Sequence, residues 1–278
     1  MSGADWTPQL VAVDVDGTLV DGYGRLPDEV RQAVRRVVDA GVPVVLATGR
    51  SWLASEGVVD YLGLPHGLHV CSNGAIVVES PPMRLVREVT FDPADVIDKV
   101  VEHSTALIAV EELGVGYRVS ADFPEGELFG QSMPESIEQL KSRPVTRVVV
   151  RDPDADGQEF LEMAQRLGLH GVSYFIGWSN WLDIAPEGVD KAAGLELVCE
   201  RLGVDRSDVL ALGDGYNDIE MLQWAGRGVA LGDALPEVQQ AADQVTGRFA
   251  DGGTVQELER WFPVPVRPGG GGAESACR

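Results

Sequence analysis

Cysteine, basic residues and long apolar runs are all scarce in this chain of 278 residues. The three cysteines, Cys71, Cys199 and Cys277, have no paired spacing, which argues against a disulfide framework or a zinc site. No stretch of about 20 apolar residues is present, so we expect no membrane-spanning helix. The N-terminus also lacks a basic region followed by an apolar stretch, as a secretory signal peptide would have. These absences predict a protein of the reducing cytoplasm.

Basic residues are outnumbered by acidic ones, 22 to 44, and the formal net charge is −22. A chain this acidic repels nucleic acid and anionic membranes, because lysine and arginine drive binding to phosphate-rich surfaces. We interpret most of the charge as a solvated acidic surface. If the substrate is itself an anion, its site must carry its own positive charge, from a metal ion or from a few well-placed cations.

Buried strands and amphipathic helices alternate in the first and last parts of the chain. Leu10 to Val13 predicts a buried strand, and Pro27 to Ala40 predicts a helix whose valines and alanines share one face. This alternation indicates an α/β fold, in which helices cover a parallel sheet.

The middle of the chain has a different pattern, because a strand, a helix and two strands occur there twice in succession. The segment from Pro124 to Pro144 is less regular and predicts a loop with a short helix. The tail is rich in proline and glycine and cannot build a core. We therefore predict an α/β core at 1–82 and 186–262, an inserted α+β domain at 83–185, and a disordered tail at 263–278.

Two aspartates, Asp14 and Asp16, stand where the first predicted strand runs into Gly17 and Thr18. Open parallel sheets bind ligands just beyond the carboxyl ends of their strands, and residues two apart on an extended segment point to the same side. The two carboxylates therefore converge, and their repulsion separates their proton affinities. That supports Asp14 as a nucleophile and Asp16 as a general acid and base. Asp-Gly is also common in ordinary turns, so a turn with solvated aspartates is the alternative at this point.

A second acidic loop, Gly213-Asp214-Gly215-Tyr216-Asn217-Asp218, follows a predicted buried strand. Its glycines allow a sharp turn and a close approach to a ligand. Asp214 and Asp218 add hard oxygen ligands, and Mg²⁺ needs only one or two carboxylates when water and a substrate phosphate complete its shell. The loop is also compatible with a simple turn in which Asn217 caps the following helix.

A carboxylate that attacks a phosphate needs a neutralising charge, because two unit charges about 4 Å apart repel by about 4 kcal/mol at an effective dielectric constant of roughly 20. Lys191 is the candidate to hold a phosphate oxygen, although it begins a predicted helix, where the dipole favours anions. Thr48 offers a hydroxyl donor just before Gly49 and Arg50. Taken singly, an exposed lysine and a threonine that caps a strand end would explain both residues.

In this order, the elements resemble the four motifs of the haloacid dehalogenase superfamily. Asp14-Val15-Asp16-Gly17-Thr18-Leu19 is similar to motif one, Thr48-Gly49-Arg50 to motif two, Lys191 to motif three, and the Gly213 to Asp218 loop to motif four. The long insertion between motifs two and three resembles the type IIB cap of the Cof-like subfamily. The resemblance implies a Rossmann-like core with a parallel sheet and an inserted α+β cap. Two departures, Lys191-Ala192 for the usual Lys-Gly and Gly232-Asp233-Ala234 for the usual Gly-Asn-Ala, concern loop geometry only.

The resemblance also implies a Mg²⁺-dependent phosphatase that forms an aspartyl-phosphate. Asp14 would attack phosphorus, while Asp16 would protonate the leaving group and then activate water. The residues implied in phosphate binding are Thr48, Gly49, Asn73, Lys191 and Asn217, with Arg50 at the border. The residues implied in metal binding are Asp14, the main-chain carbonyl of Asp16, Asp214 and Asp218, the last as a ligand or as support.

The expected substrate is a small phosphorylated metabolite, such as a sugar phosphate or a related monoester, and we expect a monomer or a weak homodimer. A phosphomutase or phosphotransferase on the same scaffold is an alternative, because it would need the same aspartates. A non-enzymatic binding module is disfavoured, since the nucleophile and the carboxylates for the metal are all present. Fold does not determine the leaving group. Residues that could contact it, unless they are exposed charges or core aromatics, are Glu111, Glu112, Arg118, Trp178 and Trp181.

Overall fold

The computed structural model describes residues 6–168, 172–177 and 180–264. Its strands are β1 (Leu10–Val13), β2 (Val44–Leu46), β3 (Gly67–Cys71), β4 (Ile76–Ser80), β5 (Arg84–Glu88), β6 (Leu107–Glu112), β7 (Gly116–Val119), β8 (Gln131–Pro134), β9 (Val148–Arg151), β10 (Val172–Gly177), β11 (Trp181–Pro186), β12 (Val209–Gly213), β13 (Arg227–Ala230) and β14 (Gln244–Val245). Its helices are α1 (Asp28–Asp39), α2 (Trp52–Leu62), α3 (Ala94–His103), α4 (Ile137–Leu140), α5 (Gly157–Arg166), α6 (Lys191–Leu202), α7 (Ile219–Trp224), α8 (Pro236–Ala241) and α9 (Gly253–Trp261). Within these ranges, no helix combines the length and the apolar character that crossing a membrane would require.

A five-stranded parallel sheet, in the order β14-β13-β12-β1-β2, forms the centre of the core. Val13 is level with Leu212 on one neighbouring strand and with Leu46 on the other. The chain therefore leaves β1, β2 and β12 at the same edge of the sheet. Buried apolar clusters lie on both faces, so the sheet is covered by helices on each side, as the α/β prediction requires.

The helix predicted from Pro27 to Ala40 is confirmed as α1. Val30, Ala33, Val34 and Val37 are buried on its inner face. Pro27 is the N-cap residue rather than part of the first turn.

Strands β3, β4 and β5 form an antiparallel sheet of three strands. The sequence pattern does not predict β4 as a strand, although Ile76, Val77 and Val78 are all fully buried. A continuous apolar run without alternation shows a buried segment but not its type. The pairing with β3, in which Cys71 is level with Ile76, makes this run a strand.

A six-stranded sheet, in the order β10-β11-β9-β6-β7-β8, is formed within residues 94–186, hereafter the cap. Its strands pair antiparallel except for β7 and β8. Helices α3 and α5 pack on it around an apolar cluster that includes Ile97, Phe160 and Leu182. The short helix predicted between Pro124 and Pro144 is α4, but that segment also contains β8. This edge strand is mostly exposed, so no apolar alternation marks it.

Candidate active site

Three carboxylates and one lysine meet at the carboxyl edge of the parallel sheet. Asp14 follows β1, and its Oδ1 lies 2.6 Å from Nζ of Lys191. The same ammonium lies 2.6 Å from Oδ1 of Asp218. Lys191 and Asp218 are fully buried, and Asp14 is 4% exposed. Residues far apart in the sequence are thus joined in one desolvated ion cluster.

The first helical position of α6 is occupied by Lys191, at the end of the dipole that disfavours a cation. Asp190 caps this helix, since its carboxylate accepts a hydrogen bond of 2.8 Å from the Ala193 amide. Burial lowers the pKa of Lys191, but Asp14 and Asp218 raise it by more, so that the pKa lies above its ordinary value. The lysine therefore remains charged beside its two carboxylates.

Oxygens of Asp14, Asp214 and Asp218 lie within 4.8 Å of one another. Burial raises the pKa of Asp14, and the three neighbouring aspartates add to this against the opposing effect of Lys191. Burial and Asp218 together raise the pKa of Asp214 to about 7. One ammonium thus faces an excess of negative charge, and hard oxygen donors in this density suit a divalent cation such as Mg²⁺.

The two oxygens of Asp218 are both engaged by protein groups. Oδ1 contacts Lys191, and Oδ2 accepts the amides of Asp214 and Gly215 at 3.0 and 2.8 Å. Asp214 receives one hydrogen bond of 3.0 Å on Oδ1, from the Thr18 hydroxyl. Gly17, with φ of +84°, passes so close to Asp214 that a Cβ there would collide with its carboxylate. Asp218 therefore shapes the loop, and Asp14 and Asp214 are the better placed to bind a cation.

The carboxylate of Asp16 lies outside this cluster and is bound by Arg50. Nε and Nη2 of Arg50 donate to its two oxygens at 2.8 and 2.6 Å. The Asp16 side chain is 60% exposed, so it has room to adopt another rotamer. The structure thus brings Asp16 to the mouth of the site rather than to its floor.

The residues predicted to bind phosphate line the loops beside Asp14. Thr48 is fully buried, and its Oγ1 accepts the Arg50 amide at 3.1 Å, which leaves the hydroxyl proton free to donate. Asn217 donates from Nδ2 to Oδ1 of Asn73 at 2.9 Å. A Cβ on Gly49 would approach that same Asn73 oxygen to 3.0 Å. These groups form one continuous polar rim.

A cleft of about 900 Å³ opens above this rim, between the core and the cap. Core residues on its wall include Asp14, Asp16 and Asp214. The side chains that the cap contributes are Tyr117, Glu127, Phe129, Arg147, Trp181 and Asp183.

Trp181 is the one cap candidate from the sequence that lines the cleft among the described residues. Glu111 is buried and accepts a hydrogen bond of 2.7 Å from the Ser72 hydroxyl. Glu112 and Arg118 instead pair with each other at 3.1 Å. Trp178, like the predicted disordered tail from residue 265 onward, lies outside the described residues.

Sequence reasoning missed Arg147 and Asp183, which face each other in the cleft with N···O of 2.8 Å. A signal was available for Arg147, because it directly precedes three valines of a buried strand. A charge in such a position is buried with a partner or serves a site. Asp183 carries a similar signal, because it stands between Leu182 and Ile184, which are both fully buried in a strand.

The family model for haloacid dehalogenase-like hydrolases matches residues 11–258. The stress response protein YhaX of Bacillus subtilis is 28% identical over 276 residues, which cover 94% of this chain and 96% of the relative. The HMP-PP phosphatase of Yersinia enterocolitica is 28% identical over 266 residues, covering 92% and 96%. The 5-amino-6-(5-phospho-D-ribitylamino)uracil phosphatase YcsE of Bacillus subtilis is 28% identical over 257 residues, covering 91% and 95%.

Solved structures agree with the fold. A sugar phosphatase of haloacid dehalogenase subclass IIB superposes with a TM-score of 0.78 at 19% identity and covers 92% of this chain and 99% of its own. A phosphatase of the same superfamily from Bacteroides thetaiotaomicron has a TM-score of 0.77 at 25% identity, covering 95% and 98%. The chain therefore belongs to the haloacid dehalogenase-like hydrolases, as a Cof-like member of the phosphatase type whose Rossmann-like core carries a type IIB cap.

Proposed function

We propose that the protein hydrolyses small phosphate monoesters, sugar phosphates or related metabolites, through an aspartyl-phosphate on Asp14 and with Mg²⁺ as cofactor. The observation that carries this proposal is the position of Lys191, whose ammonium lies 2.6 Å from both Asp14 and Asp218. A buried nucleophile with one oxygen held by a cation keeps its second oxygen aimed at the cleft. Orientation of this kind converts binding into a near-attack geometry.

In the first step, Asp14 attacks phosphorus and the bond from phosphorus to the leaving oxygen breaks. Asp16 donates a proton to that oxygen, for which it turns away from Arg50 toward the cleft. In the second step, Asp16 takes a proton from water, the oxygen of that water bonds to phosphorus, and the bond to Asp14 breaks. Inorganic phosphate leaves, and both aspartates return to their initial protonation states.

The other groups hold the phosphoryl oxygens while this happens. Lys191 supplies positive charge, and the hydroxyl of Thr48 donates a hydrogen bond. The Gly49 backbone, Asn73 and Asn217 complete the rim. Donors placed before the reaction stabilise the charge that develops on these oxygens without reorganisation.

For the metal, we assign Asp14, the main-chain carbonyl of Asp16 and Asp214 as ligands, with Asp218 holding the loop. Bound there, Mg²⁺ would reduce the repulsion between nucleophile and phosphate. The excess of carboxylates over cations around Asp214 supports this assignment.

We further propose that residues 83–185 act as a separate unit that selects the leaving group, and that the protein works in the cytoplasm as a monomer or weak homodimer. The cleft of about 900 Å³ suits a small metabolite. Its aromatic walls, Tyr117, Phe129 and Trp181, suit a sugar or another ring. Three of the named proteins support this size class, since they are phosphatases of HMP-PP, of a ribitylaminouracil phosphate and of sugars.

The test is a panel of phosphate esters assayed for release of inorganic phosphate with Mg²⁺, with EDTA and with Asp14→Asn. We expect release that needs both the metal and the Asp14 carboxylate. Full activity of Asp14→Asn would refute the mechanism. Return of the phosphoryl group to the substrate, in place of its release, would identify a mutase.

A further inference from the structure

Motif two forms a loop, Thr48-Gly49-Arg50, whose three successive carbonyls are all hydrogen bonded. The Thr48 carbonyl accepts the Asn73 amide at 3.1 Å, and the Arg50 carbonyl accepts the Ser72 amide at 2.9 Å. Both of these donors belong to the core. The middle carbonyl, that of Gly49, accepts Nη1 of Arg147 at 2.5 Å, and Arg147 belongs to the cap. The loop that we propose to hold the phosphate is therefore completed by a cap side chain.

Arg147 is itself held in a fixed place. It is 5% exposed, and its Nε lies 2.8 Å from Oδ1 of Asp183. Its guanidinium carbon also lies 5.8 Å from the centre of the Tyr117 ring. Within the described residues, Arg147 therefore has two polar partners, Asp183 in the cap and the Gly49 carbonyl in the core.

A second cap residue contacts the neighbouring Ser72-Asn73 turn, whose amides donate to the carbonyls of this loop. Glu111 accepts the Ser72 hydroxyl at 2.7 Å, and it lies close enough to Arg147 for the two charges to attract. Ser72 and Asn73 have φ of 49° and 52°, a region that side chains other than glycine seldom occupy. Such a backbone persists only where its surroundings hold it. The cap thus contacts both the Thr48-Gly49-Arg50 loop and the Ser72-Asn73 turn that is hydrogen bonded to it.

Arg151 provides a comparison within the cap. It ends the strand that Arg147 precedes, it is 8% exposed, and it pairs with Glu127 at 2.8 Å. Its hydrogen bonds go to Glu127, which belongs to the cap. Of these two buried arginines, Arg147 is bonded to the Thr48-Gly49-Arg50 loop of the core, and Arg151 is bonded within the cap.

We propose that Arg147 is a positioning residue for phosphoryl transfer, which aligns the Thr48-Gly49-Arg50 loop through the Gly49 carbonyl when the cap rests on the core. The inference builds on the proposed function and adds a residue that acts through the loop rather than on the substrate. With Gly49 held, the Thr48 hydroxyl faces the phosphoryl group in every closed complex. Without this bond the loop rotates about Gly49, and the cost falls on the rate of transfer more than on the binding of substrate.

The experiment compares Arg147→Lys with Arg151→Lys. Lysine keeps the positive charge opposite each carboxylate, so we expect the cap to fold in both variants. It lacks the planar guanidinium with which Arg147 reaches Asp183 and Gly49 together. Each variant is assayed with acetyl phosphate, whose leaving group is small, and with p-nitrophenyl phosphate, whose leaving group is bulky. Thermal unfolding of each variant is measured in parallel.

For Arg147→Lys we expect kcat to fall about 10- to 100-fold on both substrates, with KM within about threefold of the wild type. For Arg151→Lys we expect kcat within about twofold of the wild type. We expect its change in Tm to be similar to that of Arg147→Lys. An unchanged kcat in Arg147→Lys would overturn the proposal. So would a loss confined to p-nitrophenyl phosphate, which would make Arg147 a contact for the leaving group, or an equal loss in Arg151→Lys, which would indicate cap stability alone.

These outcomes are separate from the fate of the proposed function. If the wild type releases phosphate with Mg²⁺ and Asp14→Asn does not, the function holds whatever Arg147 does. If Asp14→Asn is fully active, the mechanism fails, while the loss of kcat in Arg147→Lys would still report on the loop.

Discussion

Charge is arranged differently in the cap and at the active edge of the core. In the described part of the cap, buried arginines sit opposite carboxylates: Arg147 faces Asp183, and Arg151 faces Glu127 at 2.8 Å. At the core edge, Lys191 alone stands among Asp14, Asp214 and Asp218. Each of these two cap arginines has a carboxylate partner, whereas the carboxylates at the core edge outnumber the lysine among them.

The difference follows from what each region must do. Paired buried charges satisfy one another and specify the geometry of a wall, at a modest net energy. Unpaired buried carboxylates cost free energy of folding, and they persist where a ligand completes them. Burial raises the pKa of Asp14 and of Asp214, and the neighbouring carboxylates raise both further.

The largest effect is expected from Lys191→Met, which removes the cation that lies between Asp14 and Asp218. Two buried carboxylates then lose their partner, and the phosphoryl oxygens lose a positive charge. We expect kcat/KM to fall about 100- to 1,000-fold and the free energy of unfolding to fall by about 3 kcal/mol. Steady-state kinetics and urea unfolding measure the two effects. A matched cap variant, Lys141→Met, loses an exposed pair with Asp98 and should change both quantities little.

The next prediction concerns how the stability of the core depends on pH. It rests on His69, a fully buried residue of β3. Burial lowers its pKa to about 4, so the folded protein binds this proton less readily than the unfolded chain does. Its contribution is therefore fully present above about pH 6.5 and is lost as the pH falls toward 4, by about 3 kcal/mol.

The measurement is urea unfolding at several pH values for wild type and His69→Gln, in which glutamine keeps an acceptor for the Leu46 amide. The raised carboxylate pKa values act in the opposite direction in both proteins, so the difference between the two curves reports on His69. Parallel curves from pH 7 to 4 would contradict the prediction.

Mg²⁺ should stabilise the core edge selectively. At tenfold excess over its dissociation constant, a ligand of the native state adds about 1.4 kcal/mol, which raises Tm by a few degrees. We expect this rise in thermal unfolding of the wild type and its loss in Asp214→Asn. Asp98→Asn, an exposed cap acid, should keep it. An equal rise in all three proteins would mean that the ion binds elsewhere.

The smallest expected effect comes from the cap wall. Phe129 lines the cleft with half of its side chain exposed. Phe129→Ala should lower kcat/KM for p-nitrophenyl phosphate by about 5- to 10-fold, through lost apolar contact, and leave acetyl phosphate within about twofold. Val115→Ala, an exposed cap residue away from the cleft wall, is the control. Equal losses on both substrates would place Phe129 in folding rather than in selection.

Local patterns were enough to predict much of the core. An apolar run before Asp14, a helical face in α1 and an acidic glycine-containing loop after β12 each reflect short-range rules of burial and turn geometry. Their order along the chain carried the resemblance to the family. By the same rules, β4 and β8 were missed, because one is apolar without alternation and the other is mostly exposed.

Tertiary structure alone decided which charges meet. Lys191 and Asp14 are 177 positions apart and share one buried hydrogen bond because β1 lies beside β12 and α6 begins at the same edge. It likewise brought Arg147 to Gly49 across 98 positions. Local sequence patterns set where a strand stops, and they therefore set which chemical groups stand at each strand end. Contacts between distant segments depend on sheet order and on how the cap rests on the core, which no local pattern encodes.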